Sequence, residues 1–151
     1  MGGQLRVGTC SWSDRSLVQS GWYPPGARTP AARLFHYSRR FDTVEVDSTF
    51  YAIPERTTVF KWAARTYPGF LFNVKAWGLF TWHSVKYESL PEWVRNEVPR
   101  PESGRLDFQG LPKDARPLLW RRFTESLAPL RQMNRMGYLL FQLPPKAVFS
   151  P

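Results

Sequence analysis

Four short apolar runs that alternate with helical patterns constrain the fold of this chain more than any other feature. The runs are rich in Val, Leu, Phe and Tyr and span residues 5–9, 43–47, 70–75 and 138–143. Between them, apolar residues recur at helical spacing in three regions. This alternation is typical of a parallel sheet covered by helices. It predicts an α/β fold with four parallel strands and three intervening helical regions, in either an open doubly wound sheet or part of a (β/α)8 barrel.

Local signals set the bounds of the helices. Thr29 offers an N-cap followed by a proline, which predicts the first helix over 30–42. The second helix is predicted to open at Pro54 and to end near residue 66. The third begins at Asp114, and Pro129 should kink or split it because proline cannot donate a helical hydrogen bond.

A polar, proline-punctuated segment at 84–113 follows the third predicted strand and has no clear period. Connections in βα units usually take about 2–6 residues, so a stretch this long predicts a functional lid or an ordered insertion. The chain length of 151 residues favours one domain over 1–151 that carries this long loop insertion.

Composition narrows the class of protein. The formal charge of +9 is carried by 16 Arg and 5 Lys, which favours anionic ligands. Because the charges are spread along the chain and not clustered, an Arg-rich composition without such a role, or an acidic partner segment outside this chain, is the preferred explanation. The single cysteine excludes an intrachain disulfide and a Cys-rich zinc site, and predicts a reducing, cytoplasmic location. No run approaches the roughly 18 apolar residues of a membrane span, so no membrane association is expected.

Strand alternation predicts where a site would lie. Successive side chains of a strand point to opposite faces, so Val44 and Val46 share one face of the second predicted strand. Polar side chains of three strands then converge on the other face, near the carboxyl ends where α/β folds bind ligands. These are Glu45, Asp47, Asn73, Lys75 and Gln142.

Two interpretations of this polar cluster are open. It is either a buried Glu45–Lys75 ion pair with no further role, or a binding site. In a site, Lys75 is the natural anion contact or Schiff-base residue, and Glu45 the natural acid or base. Glu45 and Asp47 have the spacing to hold a hard cation, but the charge of Lys75 opposes it, so no metal is predicted and the cofactor is unknown.

Three further features bear on chemistry. Cys10 ends the first predicted strand, where a nucleophile could lie, but a small buried thiol is the favoured interpretation because no signature of an activated cysteine accompanies it. His83 follows the third strand and is placed to shuttle a proton or contact phosphate. Aromatic residues after the strands suit stacking walls for a base or sugar, although loop packing explains each of them singly. They are Trp12, Trp22, Tyr23, Phe50, Tyr51, Trp77 and Trp82.

Six motif blocks resemble the YecE-like family, domain of unknown function 72, from Val7 to Pro145. The blocks are VGTCSW (7–12), WYPP (22–25), FDTVEVDSTFY (41–51), FNVKA (72–76), TWH (81–83) and LLFQLPP (139–145). The resemblance implies a TIM-type barrel of which this chain is the first half, because the family barrel continues for about as many residues again. It implies no settled activity.

The same resemblance implies a strand-end pocket. The matching residues here are Trp12, Glu45, Asp47, Ser48, Tyr51, Lys75, His83 and Gln142. Three departures stand out: Cys10-Ser11 replaces a common Ser-Gly, Asp47 stands where Asn is usual, and Trp82 separates Thr81 from His83. The Asp47 departure adds a charge and could change ligand preference.

Three functional hypotheses follow. The first is a barrel that binds a small anionic or phosphate-bearing ligand and, if it is an enzyme, uses Glu45, Lys75 and His83 as catalytic residues. Its ligand-binding residues are Trp12, Asp47, Ser48, Tyr51, Asn73 and Gln142. The second is a nucleic-acid-binding protein or repair-type phosphodiesterase, favoured by the Arg excess and by the aromatic residues of the loops. The third is a functionless fragment, which predicts self-association through open sheet edges.

Overall fold

The computed structural model describes residues 3–145 and 147, and in that part of the chain helices cover a small parallel β-sheet. The strands are β1 (Thr43–Val46), β2 (Leu71–Lys75), β3 (Val85–Lys86), β4 (Arg105–Leu106) and β5 (Met136–Leu140). The helices are α1 (Arg15–Gln19), α2 (Pro30–Tyr37), α3 (Arg56–Ala64), α4 (Glu92–Arg95), α5 (Ala115–Ser126) and α6 (Ala128–Gln132). Short 3₁₀ helices span Ser48–Phe50, Gly78–Thr81 and Tyr87–Ser89. The protein therefore has an α/β fold.

The parallel sheet has the order β1-β2-β5, with β2 in the centre. A bulge interrupts the pairing of β2 with β5, because Phe72 pairs with Met136 but Val74 pairs with Leu139. The extra residue in β5 shifts the alternation that the sequence predicts for this strand. Leu139 packs on the core, whereas Phe141 and Leu143 lie beyond the end of β5 and are exposed.

The first predicted strand, 5–9, is not a strand, so in the part of the chain that the structure describes the parallel sheet has three strands rather than four. The chain makes only one parallel bridge there, between Cys10 and Glu45. The cause is the buried hydroxyl of Tyr37, which accepts a hydrogen bond from Thr9 N–H at 2.6 Å and donates to Thr43 O at 3.2 Å. A parallel ladder would join those two backbone groups directly. Tyr37 therefore holds the segment 7–11 beside β1, and its hydroxyl takes the place of one backbone hydrogen bond between the two.

Helix α2 begins as its cap predicts, since Thr29 Oγ1 accepts from Ala32 N–H at 3.1 Å. It ends at Tyr37, earlier than the predicted Asp42. Its buried residues are Leu34 and Tyr37, whereas Phe35 is half exposed. A cation–π contact with Arg39 at 4.2 Å covers the Phe35 ring instead.

The third helical region is split as predicted, because α5 ends at Ser126 and α6 begins at Ala128 with Pro129 in its first turn. The buried Arg135 follows α6 and joins it to the rest of the fold. Its guanidinium donates to the carbonyls of Thr66 and Tyr67, just after α3, and its own carbonyl accepts from Phe72 N–H at 2.8 Å. A cation at a helix carboxyl end is favourable because it offsets the helix dipole.

The segment 84–113 is ordered and carries secondary structure that its sequence pattern does not predict. It contains the antiparallel β3–β4 ribbon and the short helix α4. Its apolar residues Leu90, Val94 and Leu106 are buried and belong to the main core. No helix in the described residues is long and apolar enough to cross a membrane.

Candidate functional site

Lys75 and Asp47 form an ion pair at the carboxyl ends of β2 and β1. Lys75 Nζ lies 2.9 Å from Asp47 Oδ1, and the lysine side chain is 14% exposed. The sequence interpretation of a Glu45–Lys75 pair is therefore wrong, because Asp47 is the carboxylate that contacts Lys75. The parallel register pairs Glu45 with Asn73, one residue before Val46 and Val74, so Glu45 lies deeper along the sheet than the pair.

The 3₁₀ helix Ser48–Phe50 forms one wall of this mouth. The buried hydroxyl of Thr49 lies 2.6 Å from Lys75 O and 2.8 Å from Val46 O, which ties the helix to both strands. The next residue, Phe50, places its ring centroid 5.0 Å from Lys75 Nζ, in a cation–π contact. Thr49 holds the backbone of Lys75 and Phe50 contacts its ammonium group, whereas from sequence Phe50 is predicted only as a stacking aromatic and Thr49 is not predicted as a site residue. The sequence feature that indicates both residues is their position in the block FDTVEVDSTFY, directly after a predicted strand.

Glu45 and Cys10 form a second polar contact on the same face. Cys10 Sγ lies 3.6 Å from Glu45 Oε1, and Cys10 is exposed, so the expectation of a buried thiol is wrong. The irregular segment 7–11 leaves it at the sheet edge. Partial burial raises the pKa of the Cys10 thiol, and the charge and hydrogen bond of Glu45 raise it further. The thiol form is thus favoured over the nucleophilic thiolate.

His83 faces the same aromatic ring as Lys75. Its ring lies 4.9 Å from Phe50, and Nδ1 lies 3.0 Å from Thr81 Oγ1. The buried Thr81 hydroxyl also donates to Gly78 O at 3.1 Å. With its one proton committed there, this hydroxyl is an acceptor for Nδ1–H, which leaves Nε2 as the acceptor of a neutral imidazole. Trp82, which separates the two residues in sequence, takes a left-handed conformation with φ of 62°.

A cavity of about 730 Å³ opens on the same face of the sheet. Residues of the segment 7–11 and of all three parallel strands line it, among them Cys10, Glu45, Asn73 and Tyr138. Asn73 is committed to the sheet, since Nδ2 donates to Thr43 Oγ1 at 2.9 Å and Oδ1 accepts from Tyr138 N–H at 3.3 Å. The amide thus satisfies a backbone group that the β5 bulge frees.

The other residues assigned from sequence lie outside this group. Trp12 is buried on the helix-covered side, where it packs against Trp62 and Phe72 at 5.6 and 6.2 Å. Ser48 is exposed at the start of its 3₁₀ helix, and Tyr51 is largely exposed beside Phe50. Gln142 is exposed, two residues beyond the partner of Lys75 in β5.

The aromatic residues after the strands do not form one wall. Trp12 and Trp77 are buried in the core, and Trp22 packs on Tyr23 and His36 at 4.8 and 4.9 Å. Only Tyr51 and Trp82 of the predicted set are strongly exposed. Within the described residues, no three His, Cys, Asp or Glu side chains are grouped to hold a metal ion.

Comparison with known proteins places the chain in a family. Residues 6–151 match the model of a protein family described as protein of unknown function DUF72. The chain belongs to the DUF72 family. It is 30% identical over 141 residues to the UPF0759 protein YunF of Bacillus subtilis, and this match covers 93% of the chain and 40% of YunF.

Two crystal structures of a DUF72 protein from Enterococcus faecalis V583 support the fold. They match with TM-scores of 0.55 and 0.59 at 19% identity, over 96% of this chain. The matched region is 41% and 42% of those chains. The DUF72 chain described here therefore spans about two-fifths of the length of the relatives that it matches.

Proposed function

We propose that the mouth formed by Glu45, Asp47, Lys75 and His83 binds a small anionic or phosphate-bearing ligand. The observation that carries this proposal is the state of Lys75. Its ammonium group has three donors, yet within the described residues it donates to Asp47 alone. A side chain only 14% exposed pays a desolvation cost for each donor left without an acceptor. An anionic ligand oxygen would supply that acceptor.

The charges around Lys75 restrict the chemical class of the proposed ligand further. Asp47 already neutralises the ammonium group, and Glu45 adds a second carboxylate, so the mouth is not uniformly basic. Repulsion from Glu45 disfavours a bare dianion placed between the strands. The proposed ligand therefore contacts Lys75 with its anionic group and donates hydrogen bonds from hydroxyl or amino groups to Glu45.

The same residues supply groups for proton transfer, which extends the proposal to an enzyme. Glu45 is a half-buried carboxylate, and His83 has Nε2 free as an acceptor when Nδ1–H donates to Thr81. The Lys75 side chain is held by its contact with Asp47, which favours anion contact over Schiff-base chemistry. Cys10 has no role in this proposal because its thiolate form is disfavoured.

We also propose that the parallel sheet is the first part of a TIM-type barrel in a cytoplasmic protein. The succession of β1, α3, β2, α5–α6 and β5 supports this, since parallel strands with helices on one side are the repeating unit of such barrels. The single, exposed Cys10 supports a reducing compartment. The nucleic-acid hypothesis gains no specific support, because most of the aromatic residues that it requires are packed.

Calorimetric titration with glycerol 3-phosphate tests the ligand proposal, with inorganic phosphate as a comparison that lacks the hydroxyl groups of the glycerol. The protein should bind glycerol 3-phosphate more tightly than inorganic phosphate, and Lys75→Met should weaken this binding at least tenfold. Lys86→Met is the matched control, since Lys86 is an exposed lysine in the β3–β4 ribbon and should leave the affinity unchanged. Equal affinities of the two variants would refute the proposal.

A further inference from the structure

An exposed tyrosine lies close to the ammonium group of Lys75. Phe50 joins the two, because its ring centroid is 5.0 Å from Lys75 Nζ and 5.3 Å from the centroid of the Tyr51 ring. Tyr51 directly follows the 3₁₀ helix Ser48–Phe50, and its side chain is 67% exposed. The mouth therefore presents an accessible aromatic ring that one small molecule can reach while it contacts the cation.

Contacts within the fold hold the Tyr51 ring in place. Its backbone N–H donates to Ser48 O at 3.2 Å, and its carbonyl accepts from Nε1 of the buried Trp77 at 3.3 Å. Phe50 in turn packs closely on Gly78, where an added Cβ would lie 3.1 Å from Phe50 Cζ. Because tyrosine has few rotatable bonds and this one is already positioned, a ligand that binds it loses little affinity to ordering the protein.

One face of the Tyr51 ring is left for a ligand. The rings of Tyr51 and Phe50 meet at an interplanar angle of 88°, and such an edge-to-face contact covers at most one face of either ring. The exposed fraction of Tyr51 therefore includes a ring face. Aromatic side chains of this kind bind nucleobases by stacking, which raises affinity by about 5- to 100-fold per base.

We propose that the ligand of this mouth is a nucleoside monophosphate, whose base stacks on Tyr51 while its phosphate contacts Lys75. The inference rests on the proposed function, because it takes the anion contact at Lys75 as given and adds the group attached to the anion. The ribose hydroxyls lie between base and phosphate, and they supply the donors to Glu45 that the proposed function requires.

The mouth suits a single nucleotide better than a nucleic-acid strand. Strand binding uses successive aromatic residues along a positively charged groove. Here Asp47 and Glu45 make the mouth partly acidic. Tyr51 and Trp82 are the only strongly exposed members of the predicted aromatic set, all of which lies in the described residues. One base and one phosphate match the one ring and one ammonium group that Phe50 brings together.

Calorimetric titration with AMP and with ribose 5-phosphate tests the inference, because the two share sugar and phosphate and differ in the base. The chain should bind AMP about 5- to 100-fold more tightly. Tyr51→Ala should reduce the affinity for AMP to that for ribose 5-phosphate, whereas Tyr51→Phe keeps the ring and should keep the preference. Phe60→Ala is the matched control, since Phe60 is an aromatic residue 54% exposed on α3. It should bind AMP as the unchanged chain does.

The failure of this inference is distinguishable from the failure of the proposed function. Equal affinities for AMP and ribose 5-phosphate, or a preference that survives in Tyr51→Ala, would overturn the inference and leave the phosphate site standing. If neither phosphate ester binds, or if Lys75→Met binds both as tightly as the unchanged chain, the proposed function fails and the inference fails with it. A single-stranded oligothymidylate that binds far more tightly than AMP would indicate a nucleic-acid strand as the ligand and would also overturn the inference.

Discussion

Lys75 Nζ contacts Asp47 Oδ1 at 2.9 Å, although the sequence places Glu45 equally well to meet it. The difference arises at the end of β1. Asp47 follows the strand and precedes the 3₁₀ helix Ser48–Phe50, where Thr49 ties the turn to Lys75 O. That turn carries the Asp47 carboxylate to the ammonium group, while Glu45 remains within the sheet and meets Cys10. Asp47 thus holds Lys75, and Glu45 is the carboxylate that we propose to contact a ligand.

Asp47→Asn should destabilise the protein by about 1 kcal/mol, because it leaves the largely buried ammonium group without its charge partner. The size is discounted for solvent screening, since Asp47 is 37% exposed. Urea denaturation measures the change. The matched control is Glu88→Gln, which breaks the exposed Arg100–Glu88 pair and should cost less than about 0.5 kcal/mol. Equal losses in the two variants would contradict a special role for Asp47.

Tyr37→Phe should lower the free energy of unfolding by about 1–3 kcal/mol, because the N–H of Thr9 and the carbonyl of Thr43 both lose their hydrogen bond to the Tyr37 hydroxyl. The ring itself stays, so packing is retained. Hydrogen exchange should show faster exchange of the Thr9 amide, whereas the amides of β2 should change less. Tyr51→Phe serves as the comparison, since that side chain is largely exposed and its loss should be near zero. A Thr9 amide protected as before would argue against the bridging hydroxyl.

Gly137→Ala should be strongly destabilising, because a Cβ at this position would overlap Asn73 Oδ1. The expected loss is about 1–3 kcal/mol, the range for forced overlap in packed sites. Gly26→Ala is the control, since nothing lies within 4 Å of its added Cβ. In an Asn73→Ala background the cost of Gly137→Ala should shrink, because the overlapping oxygen is gone. A double-mutant cycle without such coupling would rule out this contact as the cause.

The rate of Cys10 alkylation should rise at a higher pH than for an ordinary cysteine. Burial and Glu45 raise the pKa of the thiol, so less thiolate is present at a given pH than in an ordinary cysteine, and the iodoacetamide rate should rise only above the usual range near 8.5. Glu45→Gln removes a negative neighbour and should move the profile to lower pH. Lys75→Met removes the cation that lowers this pKa and should move it to higher pH. Glu55→Gln, at an exposed site on α3's amino end, should leave the profile in place.

The sequence predicts the α/β order and the core of the sheet because those depend on periodicity. Val44 and Val46 are buried as their alternation requires, and the N-cap at Thr29 and the helix break at Pro129 are confirmed. The absence of a regular first strand depends on one hydroxyl, that of Tyr37, reaching across from α2. Periodicity carries no information on such a contact between distant residues.

For the candidate site, the sequence predicts which face of the sheet carries it but not the contacts between its residues. Alternation brings Glu45, Asn73 and Lys75 to one side of the sheet, and the structure agrees. It does not identify which carboxylate meets Lys75, because Asp47 lies past the end of the strand, where the turn sets its direction. Alternation also predicts that Asn73 contacts a ligand. In the structure the bulge in β5 frees the N–H of Tyr138, which donates to the Asn73 amide oxygen instead. A period of two residues assumes an uninterrupted strand, so it does not predict where a bulge or a turn changes the direction of a side chain.

The buried guanidinium of Arg135 has a consequence for how the fold responds to dissolved salt. Its partners at the end of α3 are the carbonyls of Thr66 and Tyr67, and salt screens such buried contacts little. The ion pair at the opposite end of the sheet involves Asp47, whose side chain is 37% exposed, so dissolved ions screen it more strongly. Added salt should therefore weaken the contact between Asp47 and Lys75, while Arg135 keeps the amino ends of the strands anchored.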